Sequence, residues 1–156
     1  MSAILDRWLT RLYRLIGSAL VLAACGFVSY TAGDWHWPYH VLSAELSTPE
    51  VAPGGTLRQT RVIRYRAECE IRSERRLQST GPEGRRVMLP QIAFGTPPWD
   101  RDGKPQTTET EVPADFPCGP ATIVESPSAA CNWVQRILGR QHKADVITPF
   151  RVVCAR

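Results

Sequence analysis

The sequence predicts an all-β fold, an antiparallel β-sandwich that follows a single N-terminal transmembrane helix. An uncharged, mostly apolar run covers residues 15–33, which is just long enough to cross the roughly 30 Å hydrocarbon core of a bilayer. From residue 40 onward, short stretches alternate apolar and polar residues, and turn-forming clusters separate them about every ten residues. With 13 prolines, 11 glycines and 43% apolar residues in 156, the composition excludes collagen-like, coiled-coil and fully disordered chains.

The N-terminal part divides into a basic flank (1–14), the apolar helix (15–33) and a short interfacial linker (34–39). Arginines precede the apolar run and an aspartate follows it. The positive-inside bias therefore places the N-terminus in the cytoplasm and residues 34–156 in the periplasm or outside the cell. Aromatic residues that favour membrane interfaces flank the run on both sides, namely Trp8, Tyr13, Trp35, Trp37 and Tyr39. The helix would then be an uncleaved signal anchor.

A second interpretation of the same region stays open. Residues 22–25 are Leu-Ala-Ala-Cys, and with Gly26 they match the lipobox of bacterial lipoproteins. In that case residues 1–24 would be a removed signal peptide and Cys25 would carry the lipid. Lipoproteins usually continue into a polar tether, whereas the apolar Phe27 and Val28 come next here. Both interpretations export the rest of the chain.

The five cysteines separate into Cys25, which lies in the apolar run, and an even set of four in the exported part. An oxidising compartment allows these four to form two disulfides. Their spacings of 49, 13 and 23 residues, without a C-x-x-C pair, disfavour a metal site. The spacing alone leaves all three pairings open for the four exported cysteines, Cys69, Cys118, Cys131 and Cys154.

The clearest strand pattern covers residues 57–72, in which odd positions are mostly apolar and even positions are mostly charged. Such alternation over about fifteen residues is typical of a half-buried antiparallel strand, or of two strands joined by a bend near residues 67–69. Residues 133–138 fit a short helix or a continuing strand, and Pro149 marks the last strand as an edge strand or a late start. The other expected strands cover residues 40–48, 85–92, 106–112, 121–132 and 146–154, and the proline- and glycine-rich residues 49–55 are expected to form a turn after the first of them.

Six to eight short strands, with no convincing helix beyond the anchor, favour an immunoglobulin-like (Ig-like) sandwich over residues 40–156. Residues 48–57, followed by a strand and Cys69, look like the opening hairpin of many bacterial Ig-like ectodomains. Together with the anchor, Trp37-Pro38-Tyr39 and the late Cys131-Asn132, they give a chain that resembles small membrane-anchored Ig-like ectodomain proteins of bacteria and their phages. The resemblance implies a fold and a location, and it brings no catalytic residues.

A sandwich of this kind suggests a cysteine pairing. If the last two strands form a hairpin around Arg136, Cys118 at the start of one strand lies near Cys154 at the end of the other. Cys69 would then pair with Cys131, and a bridge between the two sheets, as in immunoglobulins, is one option.

The sequence contains no nucleophile elbow, Walker loop, dinucleotide fingerprint or zinc-protease helix. His36 and His40 would share one face of a helix, but Pro38 between them argues against that helix and hence against a metal site. We therefore expect a protein that is not an enzyme and that uses no metal and no cofactor.

The net charge of +4 comes mainly from residues 57–86, which hold nine arginines against four glutamates. Arginine favours bidentate contact with phosphate or carboxylate. For an exported domain these anions belong to lipid headgroups, the cell wall or acidic proteins, and not to nucleic acid. The alternative is a solvated sheet face on which the glutamates pair with the arginines. The candidate anion-binding residues are Arg58, Arg64, Arg66, Arg72, Arg75 and Arg76.

The expected function is a structural or accessory subunit that docks on a membrane or envelope complex. Its partners would be the lipid bilayer and another envelope or membrane protein. One alternative is an envelope-binding module that uses the arginine face for anionic lipid or cell wall. A third, a phage lysis or virion protein, comes from the resemblance alone. The sequence leaves the identity of the partner and the oligomeric state open.

Overall fold

Residues 2–33, 36–81 and 84–154 are described by a computed structural model, without the side chains of residues 2–6 and 32. Trp35, expected at a membrane interface, lies outside the described residues. The chain forms two units, of which the first ends at His36 and the second, the β domain, begins at Trp37.

The first unit contains helix α1, which spans Ser2–Ala32. Within it, residues Arg7–Thr31 are long and apolar enough to cross a membrane, judged by length and composition. The helix therefore begins well before the apolar run at residue 15 and includes the basic flank. Trp8 and Tyr13 are exposed on it, and Cys25 is a free, exposed thiol within it.

The described part of the β domain contains two sheets. The three-stranded sheet consists of β1 (Tyr39–Leu46), β3 (Thr56–Tyr65) and β6 (Pro105–Glu111), in the order β1-β3-β6. The larger sheet consists of β2 (Glu50–Val51), β4 (Glu70–Ser79), β5 (Arg86–Phe94), β7 (Gly119–Ala130), β8 (Gln141–His142) and β9 (Val146–Val152). Its order is β2-β9-β7-β4-β5, with β8 paired to β7, and β2–β9 is its parallel pair.

Two short helical segments interrupt the β domain. A 3-10 helix covers Trp99–Arg101. Helix α2 covers Trp133–Leu138, and the Asn132 side chain caps it by accepting a hydrogen bond from the Gln135 backbone N–H at 2.9 Å. Of the two options for residues 133–138, the short helix is therefore the one present, between β7 and β8.

The predicted alternation over residues 57–72 corresponds to two strands, β3 and β4, which belong to different sheets. The chain thus crosses from one sheet to the other near the expected bend. The turn expected at residues 49–55 includes Gly54, whose φ of +77° suits glycine, but it also contains the two-residue strand β2. Pro149 lies in β9 and pairs with Thr122 of β7 on one side of that strand. On the other side of β9, β2 pairs only with Arg151 and Val152.

Both disulfides join neighbouring strands of the larger sheet. Cys69 and Cys131 continue the β4–β7 register beyond Glu70 and Ala130, with a Cα–Cα distance of 4.1 Å. Cys118 and Cys154 flank the other end of β7 and the end of β9, with a Cα–Cα distance of 5.8 Å. These are the two expected pairs. The option of a bridge between the sheets is wrong, because both cysteines of the first pair belong to one sheet.

The apolar core lies between the two sheets, toward the end at which β3 and β7 begin. Both sheets contribute to it, so the architecture is sandwich-like. Its buried members are Leu57, Leu77, Val112, Phe116, Ala121, Ile123, Phe150 and Val152.

Candidate functional site

The side chains that face between the sheets change character along the strands. They begin as the apolar core, become polar near the middle, and line an open cavity toward the other end. In β7, for example, Ile123 lies in the core, Glu125 is a buried polar residue and Pro127 lines the cavity. We call the middle group the polar layer, which consists of Gln59, Arg61, Arg75, Thr110, Glu125 and Thr148.

Ion pairs and hydrogen bonds connect the polar layer across the two sheets. Arg75 of β4 donates from Nε to Glu125 Oε1 of β7 at 3.1 Å and from Nη2 to Thr110 Oγ1 of β6 at 2.6 Å. Arg61 of β3 pairs with the second oxygen of Glu125 and donates to Gln59 Oε1 at 2.8 Å. Two guanidinium groups therefore share one carboxylate, which leaves the cluster with one excess positive charge.

A cavity of about 260 Å³ lies between the sheets beyond the polar layer. Its charged lining residues are Arg61, Glu125 and Lys143. Val41 and Val146 are 45% and 42% exposed, so solvent reaches the cavity between β1 and β9. The wall is mostly apolar and includes Val41, Ile63, Ile71, Ile92, Phe94 and Val146. An apolar pocket with a few charged groups is the usual form of a small-molecule site.

Two tyrosines complete the wall of the cavity. Burial raises the pKa of the Tyr39 hydroxyl, although the nearby Arg61 acts in the opposite direction. Burial also raises the pKa of Tyr65, against the effect of a hydrogen bond with Gln106. Both phenols are therefore neutral at physiological pH and offer a polar, uncharged surface. Tyr39 was expected at a membrane interface, whereas the structure places it in β1 against Tyr65.

The arginine candidates do not form one exposed face. Arg75 is only 4% exposed and belongs to the polar layer, so it is not a surface anion-binding residue. Arg58 pairs with Glu109 at 2.9 Å. Arg72 pairs with Glu70 at 2.6 Å, and Arg76 pairs with Asp145 at 3.0 Å. Arg64 and Arg66 are exposed and make no ion pair with the described residues.

The strand registers collect one set of loops at the end of the β domain where the chain enters. We call it the entry end, and it comprises residues 37–39, 64–72, 94–105 and 130–146. It holds eight basic side chains against five acidic ones. Arg64 and Arg66 belong to it, so the unpaired candidates lie on a locally cationic surface.

A row of aromatic rings runs through the entry end. The ring centroids are 5.3 Å apart for Trp37 and Tyr39, 6.3 Å for Tyr39 and Tyr65, and 6.1 Å for Tyr65 and Trp99. Lys143 Nζ lies 5.8 Å from the centroid of the Trp37 ring. Trp37, expected at a membrane interface, is half-buried in this row, whereas Trp99 at the other end is 47% exposed.

Helix α2 adds exposed apolar side chains to the same end. Val134 and Gln135 are buried, but Trp133, Ile137 and Leu138 are 56%, 72% and 69% exposed. Trp99 and α2 thus present aromatic and aliphatic groups at the same end as Arg64 and Arg66. Interfacial tryptophans and nearby basic residues are typical of surfaces that contact lipid headgroups.

The sequence pattern did not predict the polar layer or a role for Trp99 and Trp133. The signal for the polar layer was present in the strand pattern, because Arg61 and Arg75 occupy odd positions, on the same side of their strands as apolar Ile63 and Leu77. The signal for Trp99 was a large aromatic residue in a loop rich in proline and glycine. Over residues 2–33, 36–81 and 84–154, no group of three or more His, Cys, Asp or Glu side chains is close enough to hold a metal ion.

The fold and the cavity define a two-sheet β domain that follows a candidate membrane helix. No protein-family model matches the chain, and no curated protein matches it. Among solved structures, it is similar to Spo0M, a sporulation control protein from Bacillus subtilis, with a TM-score of 0.37 and 11% sequence identity. The match covers 75% of this chain and 49% of that protein, so the chain corresponds to about half of the length of Spo0M.

Proposed function

We propose that this protein is a membrane-anchored, non-enzymatic binding module whose entry end lies against an anionic membrane surface. The observation that carries the proposal is that exposed Trp99 and α2 belong to the same end of the β domain as Arg64 and Arg66, which make no ion pair with the described residues. Residues 33–38 connect α1 to β1, and six residues span at most about 22 Å. That reach keeps the domain close to any bilayer in which α1 is inserted.

The electrostatic contribution of each residue to the binding free energy is modest, and the contributions of several residues on the surface add together. A Lys or Arg near an anionic leaflet contributes about 1 kcal/mol of binding free energy. Salt screens this contribution over roughly 10 Å at 0.1 M ionic strength. We therefore expect binding that requires anionic lipid and weakens with salt, with Trp99 and the apolar face of α2 in the interfacial region.

Hydrogen–deuterium exchange on the full-length protein in nanodiscs tests the proposal. We expect protection of residues 95–104 and 131–143 in nanodiscs with phosphatidylglycerol, and less protection in purely zwitterionic ones. The double variant Arg64→Gln with Arg66→Gln should reduce the difference. Arg58→Gln is the matched control, because Arg58 lies on the same strand but pairs with Glu109. Equal exchange in both kinds of nanodisc would contradict the proposal.

A second candidate is an accessory subunit that docks on a membrane or envelope protein. The exposed apolar face of α2 favours it, because Trp133, Ile137 and Leu138 form a small continuous surface of the kind found in protein interfaces. Co-purification from native membranes distinguishes the two functions. Docking is supported by a protein that co-purifies in stoichiometric amount with the wild type but not with Ile137→Ser. The control is Met88→Ser, at an exposed position of β5, which should still co-purify with that protein.

The finer assignments are part of the same proposal. We place the N-terminus in the cytoplasm and residues 34–156 in the periplasm or outside the cell. Arg7, Arg11 and Arg14 support this orientation through the positive-inside bias, and two cysteine pairs at disulfide distance support an oxidising compartment. Labelling of intact cells with a membrane-impermeant thiol reagent tests the orientation, using a cysteine introduced at exposed Met88, because Cys25 lies in the candidate span and the other four cysteines are paired.

An Ig-like classification of the sandwich is supported by its size and antiparallel strands.

A further inference from the structure

The inter-sheet cavity is separate from the surface residues that the proposed membrane contact uses. It lies inside the β domain, between the polar layer and the entry end, and its volume is about 260 Å³. One water-sized group occupies about 30 Å³ of liquid, so the cavity has room for about nine such groups. It is thus large enough for a small organic ligand and too small for a whole phospholipid.

The charges around the cavity favour an anion. Glu125 is balanced by Arg75, which approaches its Oε1 from the side away from the cavity, so the charge on Arg61 remains in excess. Arg61 uses Nη2 for both Gln59 and Glu125, while its Nε and Nη1 make no hydrogen bond to the described residues. Lys143 adds a second cation to the lining.

The remaining wall favours an aliphatic group. Ile63, Ile71, Ile92 and Phe94 come from three strands of both sheets and surround the space beyond Arg61. Burying each methylene against such a wall strengthens binding about fourfold. A ligand that combines a charged head with a short alkyl chain would satisfy both parts of the cavity.

We propose that the inter-sheet cavity binds an aliphatic carboxylate of about eight to ten non-hydrogen atoms. The carboxylate accepts hydrogen bonds from the free nitrogens of Arg61, and the alkyl chain lies along the wall formed by Ile63, Ile71 and Phe94. A carboxylate carries a single negative charge, which neutralises the excess charge of the polar layer. The phenols of Tyr39 and Tyr65 stay neutral and add no repulsion.

Octanoate is the probe that tests the proposal, because it has ten non-hydrogen atoms. We expect saturable binding of isotope-labelled octanoate to the full-length protein in zwitterionic nanodiscs, above the background of empty nanodiscs. Arg61→Met should weaken binding about ten- to hundredfold, the range for a hydrogen bond to a charged group. Arg58→Met is the matched control, since Arg58 lies on the same strand but is exposed and pairs with Glu109, and should leave binding unchanged.

A second variant keeps the test independent of the polar layer. Val41→Trp fills the mouth of the cavity at a half-exposed position, leaves every charge in place, and should abolish saturable binding. Neutral 1-octanol should bind at least tenfold more weakly than octanoate. The proposal is overturned if wild-type protein shows no saturable binding, if octanol binds as well as octanoate, or if Arg61→Met and Val41→Trp, with both disulfides intact, bind like wild type.

Discussion

Glu125 and Arg75 form an ion pair between neighbouring strands, with Nε and Oε1 3.1 Å apart and side chains only 4% and 5% exposed. Arg61 shares the same carboxylate from the opposite sheet. A buried ion pair is not in itself a source of stability, because desolvation offsets much of the attraction. Removing its single anion, however, leaves two cations between the sheets without an anionic partner.

We predict that Glu125→Gln destabilises the β domain by about 3–5 kcal/mol, the cost of leaving a buried charge uncompensated. Arg75→Met should cost less, because Glu125 keeps Arg61 as a partner. Urea unfolding of the full-length protein in micelles, followed by tryptophan fluorescence, measures both changes.

Glu109→Gln is the matched control for Glu125→Gln. Glu109 pairs with Arg58 at 2.9 Å, but the two side chains are 59% and 64% exposed. Exposed pairs contribute about 0–1 kcal/mol, so the control variant should be close to wild type. If Glu125→Gln and Glu109→Gln lower the free energy of unfolding equally, the ion pairs of the polar layer contribute no more to stability than an exposed pair does.

The strand pattern in the sequence was sufficient to place most of the strands. Alternation depends on neighbouring residues, so it located β3, the bend that follows it and the first residues of β4, but not the part of β4 that continues to Ser79. It could not assign the two strands to different sheets, because sheet membership depends on contacts distant in sequence. Residues of β2 were predicted as a turn, since a two-residue strand exists only through its pairing with Arg151 and Val152.

The candidate site was predicted less well. Net charge in residues 57–86 suggested an arginine surface, but charge counts do not say which face of a strand a residue occupies. Arg75 points inward and meets Glu125, which lies 50 residues away in sequence. The cavity depends on the space left between two sheets, and no local pattern encodes that space.

Glu70 should make stability depend on pH in the acid range. Burial alone would raise its pKa, but hydrogen bonds and attraction from Arg72 and Arg140 lower it below the ordinary glutamate value. As the pH falls, the unfolded chain therefore binds the proton first. The contribution of Glu70 is complete above the unfolded pKa of about 4.3 and is lost as the pH falls through the folded pKa.

In Glu70→Gln, the free energy of unfolding should therefore decrease less than in the wild type between about pH 5 and pH 3. It should also loosen α2 and β8, because Arg140 donates to the Glu70 side chain at 3.0 Å and to its backbone oxygen at 2.8 Å. The urea midpoint measured against pH provides the test. Glu45→Gln, at an exposed β1 position, is the control. If the urea midpoint of Glu70→Gln falls with decreasing pH as steeply as that of the wild type, Glu70 is not the source of this pH dependence.

The two disulfides should stabilise the β domain by comparable amounts. They span sequence separations of 62 and 36 residues, and the chain-entropy estimate gives about 4 kcal/mol for each. Replacing Cys69 and Cys131 together by Ala should lower the free energy of unfolding by this amount, and the Cys118/Cys154 pair slightly less. Peptide mapping without reduction provides the direct check. A peptide that links Cys69 to Cys118 would be incompatible with the β4–β7 register.

The final prediction concerns the choice between a retained anchor and a lipoprotein. Helix α1 continues from Ser2 to Ala32, and the candidate span extends to Thr31, six residues past Cys25. Cleavage before Cys25 would remove most of the apolar length that can cross a bilayer. We therefore expect the intact mass of the membrane-extracted protein to include residues 2–24, with no lipid on Cys25. Cys25→Ser should stay in the membrane fraction after a high-salt wash. A mass for a chain that begins at a lipidated Cys25 would establish the lipoprotein instead.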